Sequence, residues 1–129
     1  MDQKRLEAGL AVRRAVLGDE YVDKATQNVD DFNRKFQELV SEFCWGECWG
    51  DEALSHRERS ILNLGMIAAL GRMQEFELHF RGALRNGLTR DELRAVLTQI
   101  AVYCGIPAGI DAFRTARKVL AELDAESGD

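Results

Sequence analysis

A single proline, Pro107, stands in 129 residues, and the glycines fall mostly between apolar-periodic stretches. Those two residue types are the usual helix breakers, so their placement leaves successive segments free to run as helices joined by glycine turns. The expected fold class is all-α: about six helices in one domain, residues 1–129. A chain of this length buries about two-thirds of its unfolded surface.

Apolar spacing places the elements. A first helix is expected from about Lys4 to Leu17, stopped by Gly18. A second covers roughly Val29 to Phe43, where Phe32, Phe36, Leu39, Val40 and Phe43 recur at helical spacing. Ser55-His56-Arg57-Glu58 is a capping-box pattern and opens a third helix, Arg57 to Leu70. Its run from Ile61 to Leu70 is apolar nearly all round, which predicts burial on every side, part of it against another subunit. A fourth helix, Met73 to Arg85, carries a core stripe of Met73, Phe76, Phe80, Ala83 and Leu84 and ends at Asn86-Gly87. Thr89-Arg90-Asp91-Glu92 is a second capping box, and the helix it starts turns Leu93, Val96, Leu97, Ile100 and Ala101 inward. Pro107 belongs to the first turn of the last helix. That helix should reach about Leu123, before a polar, fraying tail from Asp124 to Asp129.

Composition narrows the function classes. A net charge of −5 argues against nucleic acid, which needs clustered positive charge. No apolar run reaches the roughly 18 residues of a membrane span, and Met1-Asp2-Gln3-Lys4-Arg5 leads into no signal-type segment. Three cysteines suit a reduced, cytoplasmic protein better than a disulfide scaffold.

The chemistry concentrates in Glu75-Phe76-Glu77-Leu78-His79, which holds one of only two histidines. Glu75 and His79 are four apart, hence neighbours on one helix face. A carboxylate so placed can orient or charge an imidazole that titrates near neutrality. Arg72 lies two turns before His79 on the same face. Gly82 lies three residues after it, although glycine costs a helix about 1 kcal/mol relative to alanine. Tyr103 and Cys104 precede the Gly105-Ile106-Pro107 turn, a place for a pocket wall. His56, in a charged first turn, is expected to be solvated and idle. Cys44 and Cys48 are separated by three residues rather than the two of a redox motif, so they read as packed thiols, and Cys104 reads as core. Trp45 and Trp49 are core residues or a lid over a ligand. No metal-ligand spacing and no phosphate-cradling glycine loop is present.

Several of these segments together carry a resemblance. Arg59-Ser60-Ile61-Leu62-Asn63-Leu64-Gly65-Met66, Gly71-Arg72, Glu75 to His79, Ala83-Leu84-Arg85-Asn86-Gly87 and Tyr103-Cys104-Gly105-Ile106-Pro107-Ala108 resemble the γ-carboxymuconolactone decarboxylases, as does Cys44-Trp45-Gly46-Glu47-x-Trp49. The likeness runs from about residue 38 to residue 120. It implies an alkylhydroperoxidase-D-like bundle assembled as a ring-like hexamer or trimer, acting on a small carboxylated lactone. The related peroxidases carry a Cys-x-x-Cys whose positions fall here at Arg72 and Glu75, which leaves thiol peroxidase chemistry without its nucleophile. Two departures stand out: Cys48 replaces an aliphatic residue, and Gly50-Asp51-Glu52-Ala53-Leu54 lacks a basic residue often found before the arginine matched by Arg59.

The resemblance implies decarboxylation of 4-carboxymuconolactone to 3-oxoadipate enol-lactone, in the protocatechuate branch of aromatic catabolism. Electrons released by carbon dioxide flow into the conjugated lactone carbonyl, so no pyridoxal, thiamine or metal is required. On this reading His79, charged or oriented by Glu75, stabilises the enolate oxygen and donates a proton. Arg59 and Arg72 grip the carboxylates, with Trp45 and Tyr103 beside the substrate, while Arg81 and Arg85 make surface or subunit contacts. The alternatives are another lyase, isomerase or hydrolase of the superfamily acting on a different small acid, then a thiol peroxidase, then a helical oligomer that only binds a ligand.

Overall fold

Gly18, Gly71, Gly87 and Gly105 all take positive φ, a region open to glycine and strained for other residues, and each ends or separates a helix. In the computed structural model, which describes residues 2–127, these turns punctuate α1 (Gln3–Leu17), α2 (Asp19–Gln27), α3 (Arg34–Leu39), α4 (His56–Leu70), α5 (Met73–Arg85), α6 (Arg90–Cys104) and α7 (Ile106–Glu126). A π-helical segment, Val40–Cys48, continues directly from α3. The described residues are all-helical, with seven α-helices where about six were expected. No helix among them is long and apolar enough to cross a membrane. The chain packs as two units, one ending at His56 and the other beginning at Arg57.

In the first unit, α1 lies hard against the π-helical segment. A side chain at Gly9 would put its Cβ 1.7 Å from the Ser41 carbonyl oxygen, so this crossing admits only glycine. Two expectations fail here. α2 was missed because only Tyr21, Val22 and Ala25 of its nine residues are apolar, too few to mark a helix by periodicity; Val22 is its one buried residue. The helix expected from Val29 begins only at Arg34, because the Asp30 carboxylate accepts from the backbone N–H groups of Phe32 (3.0 Å) and Asn33 (3.1 Å) and folds these residues into a turn. It then runs past Phe43 as π-turns; Trp49 N–H still bonds the Cys44 carbonyl, five residues back, at 2.9 Å. The stripe Phe32, Phe36, Leu39 and Phe43 is exposed, Phe32 almost completely at 99%.

The second unit is built on Phe76, Phe80 and Ala83 of α5, packed with Leu64 and Ala68 of α4, Leu93, Leu97 and Ile100 of α6, and Ala112, Ala116 and Val119 of α7. Of the α5 and α6 positions expected to face inward, Phe76, Phe80, Ala83, Leu93, Leu97 and Ile100 are buried in the core, Met73, Leu84 and Val96 pack against it half-buried, and Ala101 is half-buried. The Thr89–Glu92 capping box is complete: the Glu92 N–H donates to Thr89 Oγ1 at 3.1 Å and the Thr89 N–H to Glu92 Oε1 at 2.9 Å. α4 is buried on one side, through Leu64 and Ala68. Leu62, Met66 and Leu70 are exposed, the last at 74%, so one flank of this apolar helix is uncovered within the single chain. α7 continues to Glu126 rather than stopping near Leu123, so Asp124 to Glu126 are helical; Gly128 and Asp129 lie outside the described residues.

Candidate active site

α5 opens with Arg72 at its N-cap and carries Glu75, His79 and Gly82 along one stripe, extended by Asn86 at its C-cap. Helical pitch alone puts these positions in line. Arg72 and Glu75 are exposed, His79 is half-buried and Gly82 is buried. The stripe therefore descends from water into the protein, with the imidazole at the boundary.

α4 supplies the other side. Asn63 Nδ2 lies 3.4 Å from His79 Nδ1, across sixteen residues of sequence. One turn earlier on the same face of α4 stands Arg59, half-buried. Two turns beyond His79, at the end of α5, the Asn86 amide donates to Ser60 Oγ at 2.8 Å and pins the two helices together. Asn63 and His79 are thus brought together, with Arg59 one turn from Asn63 on α4. Asn63 was not singled out from sequence. The available signal was that it is the only polar side chain between Ser60 and Arg72.

Burial pushes the His79 imidazole below its ordinary value near 6.5, and the nearby Glu75 carboxylate pulls upward more weakly. The ring is accordingly neutral at pH 7. Of the two roles expected for Glu75, charging or orienting the ring, burial opposes the first: desolvation outweighs the attraction of an exposed carboxylate, whose field water screens.

Within the second unit, Tyr103 is not part of this stripe. Tyr103, 83% exposed, lines with Cys104 an apolar groove of about 390 Å³ between α4 and α6, walled by Ile61, Met66, Ala69 and Val96 among others. His79, Arg59 and Arg72 do not line it, and its walls carry no charged group. Trp45 belongs to the first unit, where it is 4% exposed and lies 4.9 Å from Trp49, centroid to centroid. His56 is half-buried rather than solvated, edge-on to Trp49 at 5.9 Å. Cys104 is exposed rather than core, Cys48 is exposed, and the half-buried Cys44 thiol is pushed up by burial and by Cys48. Arg81 pairs with Glu77 and Glu122, within the unit. No group of three or more His, Cys, Asp or Glu among the described residues could hold a metal ion.

A half-buried neutral imidazole with guanidinium groups along its two helices can bind a small anion and donate a hydrogen bond to a developing negative charge. Comparison with known proteins points the same way. Residues 34–118 match the model of the carboxymuconolactone decarboxylase family. The chain is 38% identical over 122 residues to a 4-carboxymuconolactone decarboxylase of Acinetobacter baylyi, covering 95% of this chain and 91% of that one. It is also 38% identical over 123 residues to a nitrosuccinic acid decarboxylase of Metarhizium robertsii, covering 95% and 86%. A 48-residue 4-carboxymuconolactone decarboxylase sequence from Pseudomonas putida matches at 48% identity over its whole length, or 36% of this chain.

Proposed function

The chain belongs to the carboxymuconolactone decarboxylase family, and we propose that it is a carboxy-lyase that removes carbon dioxide from 4-carboxymuconolactone without a cofactor. The observation that carries this reading is the stripe Arg72, Glu75 and His79 on α5, lying beside Arg59 and Asn63 of α4.

The chemistry asks three things of a protein: hold the carboxylates, stabilise an enolate oxygen, and let a proton reach carbon. Arg59 and Arg72 are guanidinium groups suited to two-pronged carboxylate binding. As the carbon–carboxylate bond breaks, its electron pair moves through the conjugated double bond onto the lactone oxygen. Neutral His79 donates a hydrogen bond to that oxygen. Such a donor in a partly dry site accelerates reactions by about 10²–10³-fold. The lowered pKa makes this role a better fit than that of a standing charged acid. Carbon dioxide leaves, and the one proton the net reaction consumes reaches the carbon from water, which has access to the stripe at exposed Glu75.

A second reading rests on the relative named for nitrosuccinic acid, equally similar at 38%. A nitro group beside a carboxylate is also an electron sink, so the same His79 donor would serve a different small acid. Assays of purified protein with both acids, following the ultraviolet absorbance of the lactone, decide between them. His79→Ala should abolish decarboxylation with fold retained; a variant keeping more than about a tenth of the rate is incompatible with a donor of that size. We also place a homo-oligomer contact on the uncovered flank of α4, where Leu62, Met66 and Leu70 are exposed.

A further inference from the structure

We propose that Asn63 is a positioning residue that decides which nitrogen of His79 meets the substrate, by holding Nδ1 as a hydrogen-bond acceptor and leaving the ring proton on Nε2. The inference rests on the reading of His79 as the donor to the enolate oxygen.

Asn63 interrupts an otherwise apolar run, Ile61 to Leu70. An asparagine there weakens a helix, because its amide competes for backbone hydrogen bonds. A half-buried amide in such a place calls for a partner, and the one it meets is His79 Nδ1 at 3.4 Å, through its nitrogen rather than its oxygen. An amide NH₂ only donates. A neutral imidazole has one accepting nitrogen and one donating N–H. With Asn63 donating to Nδ1, the ring hydrogen must sit on Nε2, at the far end of the ring from this contact.

The burial that keeps the ring neutral supports this, since a charged ring would present an N–H to the Asn63 NH₂. Glu75, one turn before His79, is the charge that acts on the ring; Arg72 stands two turns before it on α5 and Arg59 one turn from Asn63 on α4. Lys118 of α7 bonds Glu77 at 2.8 Å.

The tautomer is directly readable. In protein carrying ¹⁵N-labelled histidine there are only two rings, and a His56→Gln variant identifies which signals are His79. In the neutral range, Nδ1 of His79 should show the shift of an unprotonated nitrogen and Nε2 that of an N–H. The proton found on Nδ1 overturns the inference, whether or not any variant folds. Asn63→Asp sets a carboxylate against Nδ1 and should move the proton there and raise the His79 titration midpoint. At pH above that midpoint its kcat should fall by at least about tenfold. As the pH drops and the ring charges, Nε2 regains its hydrogen and the rate should recover, a profile that a merely structural asparagine would not produce. An Asn63→Asp enzyme with wild-type kcat at all pH values overturns the inference. An inactive His79→Ala combined with an Nδ1–H tautomer in the parent overturns it alone and leaves the decarboxylase reading standing. An active His79→Ala overturns the inference together with the donor role of His79 on which it rests.

Discussion

Asn86 closes the α4–α5 hairpin by donating its side-chain amide to the hydroxyl of Ser60, which is 1% exposed, over 2.8 Å. The bond joins the C-terminal end of α5 to the opening turns of α4 and lies one α5 stripe position beyond Gly82. It is therefore part of the frame that holds Asn63 against His79.

Asn86→Ala should cost about 1–3 kcal/mol, the usual penalty when a buried polar group loses its partner. Denaturant unfolding should show a lower midpoint with an unchanged slope, as expected when stability changes without a change in the surface exposed. An unchanged midpoint would show that the hairpin does not depend on this bond.

Gly109→Ala should also destabilise. The added Cβ would stand 2.5 Å from the Ala101 Cβ and force α6 and α7 apart. Overpacking typically costs about 1–3 kcal/mol, more than the roughly 1 kcal/mol that alanine gains over glycine in a helix. Ala101→Gly in the same chain should recover part of the loss in thermal unfolding, because it removes the atom met first.

The lowered pKa of His79 fixes the sign of two pH dependences. The unfolded chain binds a proton at this position near pH 6.5 while the folded chain resists it until lower pH. Stability from this group is thus complete above that value and is lost as the pH falls through the folded pKa. Compared with His79→Gln, the parent should lose unfolding free energy on acidification below pH 6.5, and equal slopes in the two proteins would contradict the shift. In kinetics, kcat/KM should stay level as the pH rises through the ordinary imidazole range. A tenfold fall per pH unit there would instead indicate a charged acid.

Met66→Glu tests the uncovered flank of α4. Met66 is 47% exposed and lines the α4–α6 groove, which has no charged residue. A carboxylate there is tolerated by the isolated chain but is costly in a dry contact between copies. Sedimentation should show the parent larger than the variant, with far-ultraviolet circular dichroism unchanged. Identical sedimentation would remove this face from any assembly.

Much of the second unit was legible from residues alone. The limits of α5, the Thr89–Glu92 box, the Gly105 turn and the inward positions of α6 all follow from interactions reaching three or four residues along the chain, which leave a repeating mark in the sequence. The first unit was less legible. Its π-turns rest on hydrogen bonds five residues long, and its fit rests on Gly9 meeting the Ser41 carbonyl, a contact across thirty-two residues that no local pattern records.

The site divides along the same line. Glu75 and His79 could be paired from spacing, because helix pitch fixes which side chains are neighbours. That the ring is neutral, that Asn63 rather than Glu75 touches its Nδ1, and that Tyr103 lines a separate apolar groove were decided by tertiary packing. The physical reason is one of range. Periodicity and capping are settled within a helical turn, whereas desolvation and cross-helix partners depend on residues far apart in the chain, which only folding brings into contact.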